Sequence, residues 1–250
     1  MKWHLITHDY YTGKYNMEFD LQLVKQLKPD NAYLRFYGWK PFCISLGANQ
    51  SIKEVKTEKA LIDNIDIVKR PTGGRAILHA EELTYSVVLP NIKTISGREI
   101  YENISNAIVA GLRLFDTKLN DVMLEKEQPK FRKLLEQPSG ALCFASTAKS
   151  EIKFKGKKLV GSAQRRIGNS LLQHGSILIG KYHRHLVDYI NTQNDEEIKT
   201  IATELNSKTI EIESILNKKI TVDNLQDSII QGFKNYLNIE FYNTVSLPAS

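Results

Sequence analysis

Cysteine is scarce in this chain of 250 residues: only Cys43 and Cys143 occur, far apart. A secreted disulfide scaffold carries more, so a reducing cytoplasm is the expected setting. Long apolar runs are missing too. None approaches the ~20 residues that cross a bilayer, and residues 1–9 lack the apolar core of a secretory signal. No membrane association is expected. Standard nucleotide signatures are absent, both Gly-x-Gly-x-x-Gly and a glycine loop followed by Gly-Lys-Ser/Thr. Neither His79 nor His174 stands at metal-ligand spacing from cysteine or histidine, so no metal is expected. Repeats, low-complexity tracts and linkers are lacking as well, which favours one domain over residues 1–250, with a helical C-terminal part from about residue 181.

The composition is that of a globular protein, 42% hydrophobic and 25% charged, with a formal net charge of +6. That charge suits an acidic partner: nucleic acid, an acidic carrier protein or an anionic cofactor. A solvated lysine-rich surface gives the same number. Residues 149–166 are basic, but they lack the interleaved aromatics and the recognition-helix pattern of nucleic-acid binders, so nucleic acid is not the expected partner.

Residues 3–7 read as a first strand, closed by a polar turn at 9–13. Met17, Leu21, Val24 and Leu27 recur at helical spacing, which predicts an amphipathic helix ending before Pro29. Residues 32–36 and 42–46 read as strands, 53–64 as a helix, and 65–68 and 83–89 as strands. Ser96-Gly97-Arg98-Glu99 matches a capping box, and the stripe Ile100, Ile104, Ile108, Leu112, Phe115 behind it predicts a long helix. Residues 116–140 read as a loop with a short helix. Strand character returns at 141–145, 151–155, 159–165 and 170–179. Helices are expected around 185–191, 196–205 and 222–237, the last with Thr221 as its N-cap.

The stretch around which the chain is organised is Arg70-Pro71-Thr72-Gly73-Gly74-Arg75-Ala76-Ile77-Leu78-His79. Paired glycines let backbone N–H groups approach a ligand, and flanking arginines supply positive charge. The loop therefore reads as a holder of an anionic or carbonyl-bearing group, although Pro-Thr-Gly-Gly is also ordinary hairpin chemistry. Cys143 precedes a hairpin bearing Lys153, Lys155, Lys157 and Lys158, and nearby lysine favours the nucleophilic thiolate. Cys43 lies in an apolar strand pattern and reads as core. Gly161-Ser162-Ala163 offers a low-bulk strand surface for a chain-like ligand, with His174-Gly175 in the next strand. His79 and His174 could equally be satisfied core histidines. No Ser-His-Asp order can be asserted.

These residues resemble a known family. The glycine stretch, Lys158-Leu159-Val160-Gly161-Ser162-Ala163-Gln164 and Gln173-His174-Gly175-Ser176 are similar, in order and spacing, to motifs of the lipoate-protein ligase/octanoyltransferase family. Asn16-Met17-Glu18-Phe19-Asp20 and Ser45-Leu46-Gly47-Ala48-Asn49-Gln50 resemble two more. The likeness runs from about residue 3 to 180, with the tail matched only as a generic helical end. It implies an α/β (α+β) fold, a mixed β-sheet flanked by helices, of the biotin/lipoate ligase type related to class II synthetases. It also implies an acyl tunnel under the glycine loop, with Lys158 contacting the acyl carbonyl. Arg70, Gly73, Gly74, Arg75, His79, Gly161, Ser162, Ala163, His174 and Gly175 become the expected substrate-binding residues.

Two branches of that family compete. ATP-dependent lipoate ligases make an acyl-adenylate with Mg, and they typically place a third glycine where this chain has Arg75. Cysteine-dependent octanoyltransferases look like this chain in Gly73-Gly74-Arg75 followed by His79 and Glu82-Leu83-Thr84-Tyr85-Ser86. They also look like it in Cys143-Phe144 before the lysine hairpin and in Gly161-Ser162-Ala163-Gln164. The transferase is the favoured expectation, with catalytic Cys143 and Lys158 and no cofactor. Its partners would be octanoyl-acyl carrier protein and a lipoyl-domain acceptor such as the glycine cleavage H protein. A monomer is the simpler expectation.

Overall fold

Strand pairing in the computed structural model, which describes residues 1–91, 94–125, 151–192 and 194–243, builds two sheets. The larger has eight strands in the order β11-β1-β2-β6-β10-β9-β8-β7. Its members are β1 (Lys2–Tyr11), β2 (Asn31–Trp39), β6 (Glu82–Pro90), β7 (Val122–Glu125), β8 (Glu151–Phe154), β9 (Lys157–Ile167), β10 (Ser170–Leu178) and β11 (Phe241–Asn243). β1 runs parallel to β2 and to β11, while the other neighbours are antiparallel. The smaller sheet has the order β4-β3-β5, formed by β3 (Cys43–Leu46), β4 (Asp66–Lys69) and β5 (Ile77–His79). This is the expected mixed α/β architecture.

One face of the large sheet is covered by α3 (Gly97–Phe115), which starts with Ser96 Oγ accepting from Glu99 N at 3.1 Å. Its stripe Ile100, Ile104, Ile108 and Leu112 packs on Tyr85 and Val87 of β6 and on the C-terminal helix Val222–Leu237. Each such side chain contributes ~1.5–3 kcal/mol by leaving water. Leu225, Ile229 and Phe233 of that helix are buried in the same cluster, so the tail is continuous with the core. The opposite face receives α1 (Gly13–Gln26) through Phe19, Leu23 and Val24. The small sheet packs its outer face on Leu186, Tyr189, Ile201 and Leu205, from the 3-10 turns Tyr182–Tyr189 and the helix Asp195–Lys208.

Several expectations need correction. β1 continues through Tyr10 and Tyr11, which pair with Gly38 and Trp39 beyond a bulge, so no turn forms at 9–13. The helix expected over 53–64 is split into the 3-10 turn Ile52–Glu54 and α2 (Thr57–Ile62), because Val55 leaves to bridge Ile190. Val122–Glu125 is a strand rather than loop, since it pairs with β8. The first helix of the tail is 3-10, Thr221 makes no side-chain cap bond, and β11 was not foreseen. The strand expected at 141–145 lies outside the described residues.

The glycine stretch is not a hairpin. β4 is parallel and β5 antiparallel to β3, on either side of it, so residues 70–76 cross over the end of β3. Gly74 takes a φ of 98° at that crossing, a conformation that disfavours a side chain. A Cβ on Gly47, at the end of β3, would stand 2.0 Å from Gly74 O, so the two backbones pass in near contact.

Candidate active site

A cavity lies where the two sheets face each other. Ser45, Arg70, Ile77 and His79 line it from the small-sheet side, and Tyr37, Trp39 and Thr84 from β2 and β6. The third wall is made by Gly161, Ser162 and Ala163 of β9 with His174, Gly175 and Ser176 of β10; Met17 enters from α1. β9 and β10 pair Ala163 with His174 and Gly161 with Ser176, so small residues stand directly beside polar ones on one sheet face. Arg70, His79, Gly161, Ser162, Ala163, His174 and Gly175 are thus brought together as expected. Gly73, Gly74, Arg75 and Lys158 are outside the lining.

Arg70 is the brace of the glycine loop. Nη1 donates to Ser45 O at 2.9 Å and Ser45 Oγ at 3.1 Å, and Nη2 to Gly73 O at 3.0 Å and Arg75 O at 2.7 Å. Nε donates to Gly73 O at 3.3 Å. Those contacts occupy all the N–H groups a guanidinium carries. The positive charge that made the loop look like an anion holder is therefore engaged from beneath by its own carbonyls, in a residue that is 4% exposed.

His79 sits in a directed chain of hydrogen bonds. Its Nδ1 is 2.7 Å from Glu82 Oε1 and its Nε2 is 2.7 Å from Ser45 Oγ. Burial pushes the Glu82 carboxyl up, but His79, Thr84 and Ser176 against it pull it below the usual range, so it is ionised at neutral pH. An ionised carboxylate only accepts, so Nδ1 donates to Glu82, and the Nε2–Ser45 Oγ contact links the ring to Ser45. Arg70 then donates to Ser45, and the order is Arg70, Ser45, His79, Glu82. Trp39 stacks on His79 with ring centroids 4.2 Å apart and donates to Thr84 Oγ1 at 2.7 Å.

A second buried network was missed by sequence reasoning. Asn16 and Asp20, four residues apart on α1, face inward beside Met17 and take hold of Arg35. Arg35 Nη1 donates to Asp20 Oδ1 at 2.7 Å and Nη2 to Asn16 Oδ1 at 2.6 Å. Both side chains of the Asp20–Arg35 pair are fully buried. Burial raises the Asp20 carboxyl, but the Arg35 charge, with smaller help from His174, brings it below its ordinary value. His174 Nδ1 is 3.8 Å from Asp20 Oδ2, and its Nε2 is 2.6 Å from Thr72 Oγ1 in the glycine loop. Burial pushes His174 below the ordinary histidine value, which favours a neutral ring. The available signal was the polar i, i+4 pair on an otherwise apolar helix face.

Lys158 is buried, with Nζ 2.7 Å from Glu151 Oε1, and its carbonyl accepts from Ile210 N at 3.0 Å. Lys153 pairs with Glu125 at 3.0 Å and Lys155 with Asp121 at 3.5 Å. The uncompensated positive charge suggested by the lysine-rich hairpin is thus largely balanced by carboxylates of β7, β8 and their flanks. Cys143 lies outside the described residues. Cys43 is core, as expected: it is fully buried, and burial pushes its thiol well up.

The model of the lipoyl protein ligase A/B catalytic domain family matches residues 12–234. The chain belongs to this family. The match extends well past residue 180, so the tail of this lipoyl ligase A/B domain is part of the family pattern rather than a generic end. Curated relatives include a protein from Clostridioides difficile named octanoyltransferase LipM, 33% identical over 96% of this chain and 89% of its own. Octanoyltransferase LipM of Bacillus subtilis is 32% identical over 95% and 87%. Among solved structures, a bi-partite lipoate protein ligase from Thermoplasma acidophilum superposes with a TM-score of 0.78 at 18% identity, covering 98% of this chain and 87% of that one. Lipoate-protein ligase A bound with ATP gives a TM-score of 0.74, also at 18% identity, covering 98% and 89%. At that identity the structures establish the lipoate-ligase fold alone.

Proposed function

We propose that this chain is an octanoyltransferase of lipoate assembly. The observation that carries the reading is the near-full-length similarity to relatives that bear that name, at 33% identity in the first case. The cavity supports it: a partly enclosed space with a low-bulk wall at 161–163 suits a linear acyl chain. The octanoyl group arrives as a thioester on the phosphopantetheine arm of acyl carrier protein. Cys143 thiolate attacks the carbonyl, the carbonyl–sulfur bond to the arm breaks, and the arm leaves as a thiolate that takes a proton from solvent. The lysine amine of a lipoyl domain, for instance the glycine cleavage H protein, then attacks the acyl-cysteine, forming an amide and releasing the Cys143 thiol. Lys158, oriented by Glu151, stabilises the oxyanion of each tetrahedral step. Arg70, His79, Gly161, Ser162, Ala163, His174 and Gly175 shape and hold the acyl site. A thioester is more reactive than an amide, so neither ATP nor Mg is consumed. The setting is the cytoplasm, and the working unit is a monomer.

The test is transfer from octanoyl-acyl carrier protein to an apo lipoyl domain, with peptide mass spectrometry of the enzyme after a short exposure to donor. The expected result is an octanoyl adduct on Cys143. In Cys143→Ala both adduct and transfer are lost, with circular dichroism and Tm unchanged. Full transfer by the alanine variant overturns the covalent route. Modification that requires free lipoate with Mg-ATP, and ignores the carrier thioester, assigns the ligase reaction instead.

A further inference from the structure

The two faces of the glycine loop are treated differently by the rest of the fold. On its inner side the carbonyl groups are taken: those of Gly73 and Arg75 by Arg70, and that of Thr72 by Ala48 N at 2.9 Å. Pro71 O accepts from Arg165 Nη1 at 2.6 Å, which ties the loop to the exposed end of β9. With its carbonyls drawn inward, the loop offers N–H groups outward. Among the described residues neither Gly73 N nor Gly74 N makes a hydrogen bond. Both glycines are exposed, and nothing lies within 4 Å of a Cβ built on Gly73, so the space above them is open. Successive free N–H groups around a residue of positive φ form a concave anion acceptor.

The charge nearby points the same way. Arg75 follows Gly74 directly and is half-buried, and Arg165 stands at the other flank of the loop. Among the described residues no carboxylate pairs with either guanidinium, whereas Arg35, Arg98 and Arg184 are each paired. Arg165 offers further N–H donors beyond the one that reaches Pro71. The cavity is lined by Arg70, where the loop begins, and by Ala163, two residues before Arg165.

We propose that the outer face of the glycine loop, with Gly73 N, Gly74 N, Arg75 and Arg165, binds the phosphodiester of the phosphopantetheine arm that delivers the acyl group. This rests on the octanoyltransferase reading for the identity of the arm, and it assigns the arm's anion a place that reading leaves open. The loop then holds the anion of the donor on its outer face, while Arg70, where the loop begins, lines the acyl cavity.

The test is equilibrium binding of two unreactive thioether analogues, S-octylpantetheine and S-octyl-4′-phosphopantetheine, which differ only in the phosphate. The wild-type protein is expected to bind the phosphorylated analogue about tenfold more tightly, as a charge-assisted contact permits. In Arg75→Gln and in Arg165→Gln that preference should fall to about threefold or less. Damage to the loop alone would weaken both analogues equally and leave the ratio intact. A wild-type ratio near one, or a ratio unchanged in both variants, overturns the proposal. S-octyl-phosphopantetheine attached to acyl carrier protein is the third probe. Sensitivity to the substitutions confined to that carrier-borne probe assigns the arginines to the protein surface of the carrier, and likewise overturns it. Binding needs no chemistry, so a phosphate preference in a protein that fails to transfer octanoyl groups separates this proposal from the assigned reaction.

Discussion

Asp20→Asn should unfold the protein more readily than any surface substitution, because it removes half of a buried ion pair while leaving the other charge in place. Arg35 is inaccessible to solvent, and its Nη1 lies 2.7 Å from Asp20 Oδ1. The asparagine keeps the shape, and Arg35 retains Asn16 Oδ1 together with the rings of Phe19 and Tyr37, 4.5 and 3.9 Å from the guanidinium carbon. What is lost is the compensating charge. Leaving one member of a buried pair alone costs ~3–5 kcal/mol, and the isosteric change belongs at the lower end. For a chain of this size ~3 kcal/mol corresponds to a Tm lower by ~6–12 °C. Asp20→Ala should cost more, since Ser86 Oγ, a donor to Asp20 at 2.8 Å, and Tyr37 OH, at 3.3 Å, lose their acceptor too. Replacing Arg35 and Asp20 together by leucine and methionine should return most of the loss.

The pH dependence gives a second reading of the same pair. The folded-state carboxyl of Asp20 is held below its ordinary value, so its contribution is fully present above the unfolded pKa of ~3.9 and is lost as pH falls through the folded value. The stability gap between wild type and Asp20→Asn should be constant from pH 8 to about pH 5 and should close below about pH 4. Urea unfolding followed by tryptophan fluorescence measures both. A gap under ~1 kcal/mol at pH 7, or one that widens on acidification, would refute the account of Asp20 as the ionised partner of Arg35.

Two further outcomes follow from the cavity. Ala163→Leu should fill space beside His174 and lower transfer of octanoyl groups at least about tenfold, while butanoyl transfer and Tm stay near wild type; equal losses for both chain lengths would place Ala163 away from the acyl path. Arg70→Lys keeps the charge but replaces a five-donor fork by three donors, so Gly73 O, Arg75 O and Ser45 cannot all be held. Its kcat should drop about tenfold or more with the fold retained, and wild-type turnover would show that the loop does not need its brace.

Much of the fold was legible because apolar periodicity is a local signal. The stripe from Ile100 to Leu112 could only be a helix with one buried face, and the run Leu83–Leu89 could only be a strand flanked on both sides. What failed locally was decided by partners distant in sequence. Tyr10 and Tyr11 stay extended because β2 pairs with them, Val55 is pulled from its helix by Ile190, and Val122 becomes strand because β8 lies beside it. β11 is three residues long and exists only through its pairing with β1.

The candidate site divides the same way. Residue types drew attention to 70–79 and 161–163, because paired glycines and a small-residue strand are visible without partners. They could not tell which direction each polar group faces. Arg70 looks in sequence like a cation offered to a ligand, and in the fold its donors hold the loop from below. Arg75 reads in sequence as a flanking cation like Arg70, and Arg165 only as part of the basic stretch 149–166; in the fold they are the guanidinium groups beside the loop that no described carboxylate neutralises. The difference comes from topology. Because β4 and β5 flank β3, residues 70–76 must arch over the end of β3, and an arch has an inside and an outside. Ser45 and Gly47 at the end of β3 supply the inside. Carbonyls drawn towards Arg70 leave Gly73 N and Gly74 N without a described partner, and the proposed anion site outside the arch rests on that strand order rather than on any single residue.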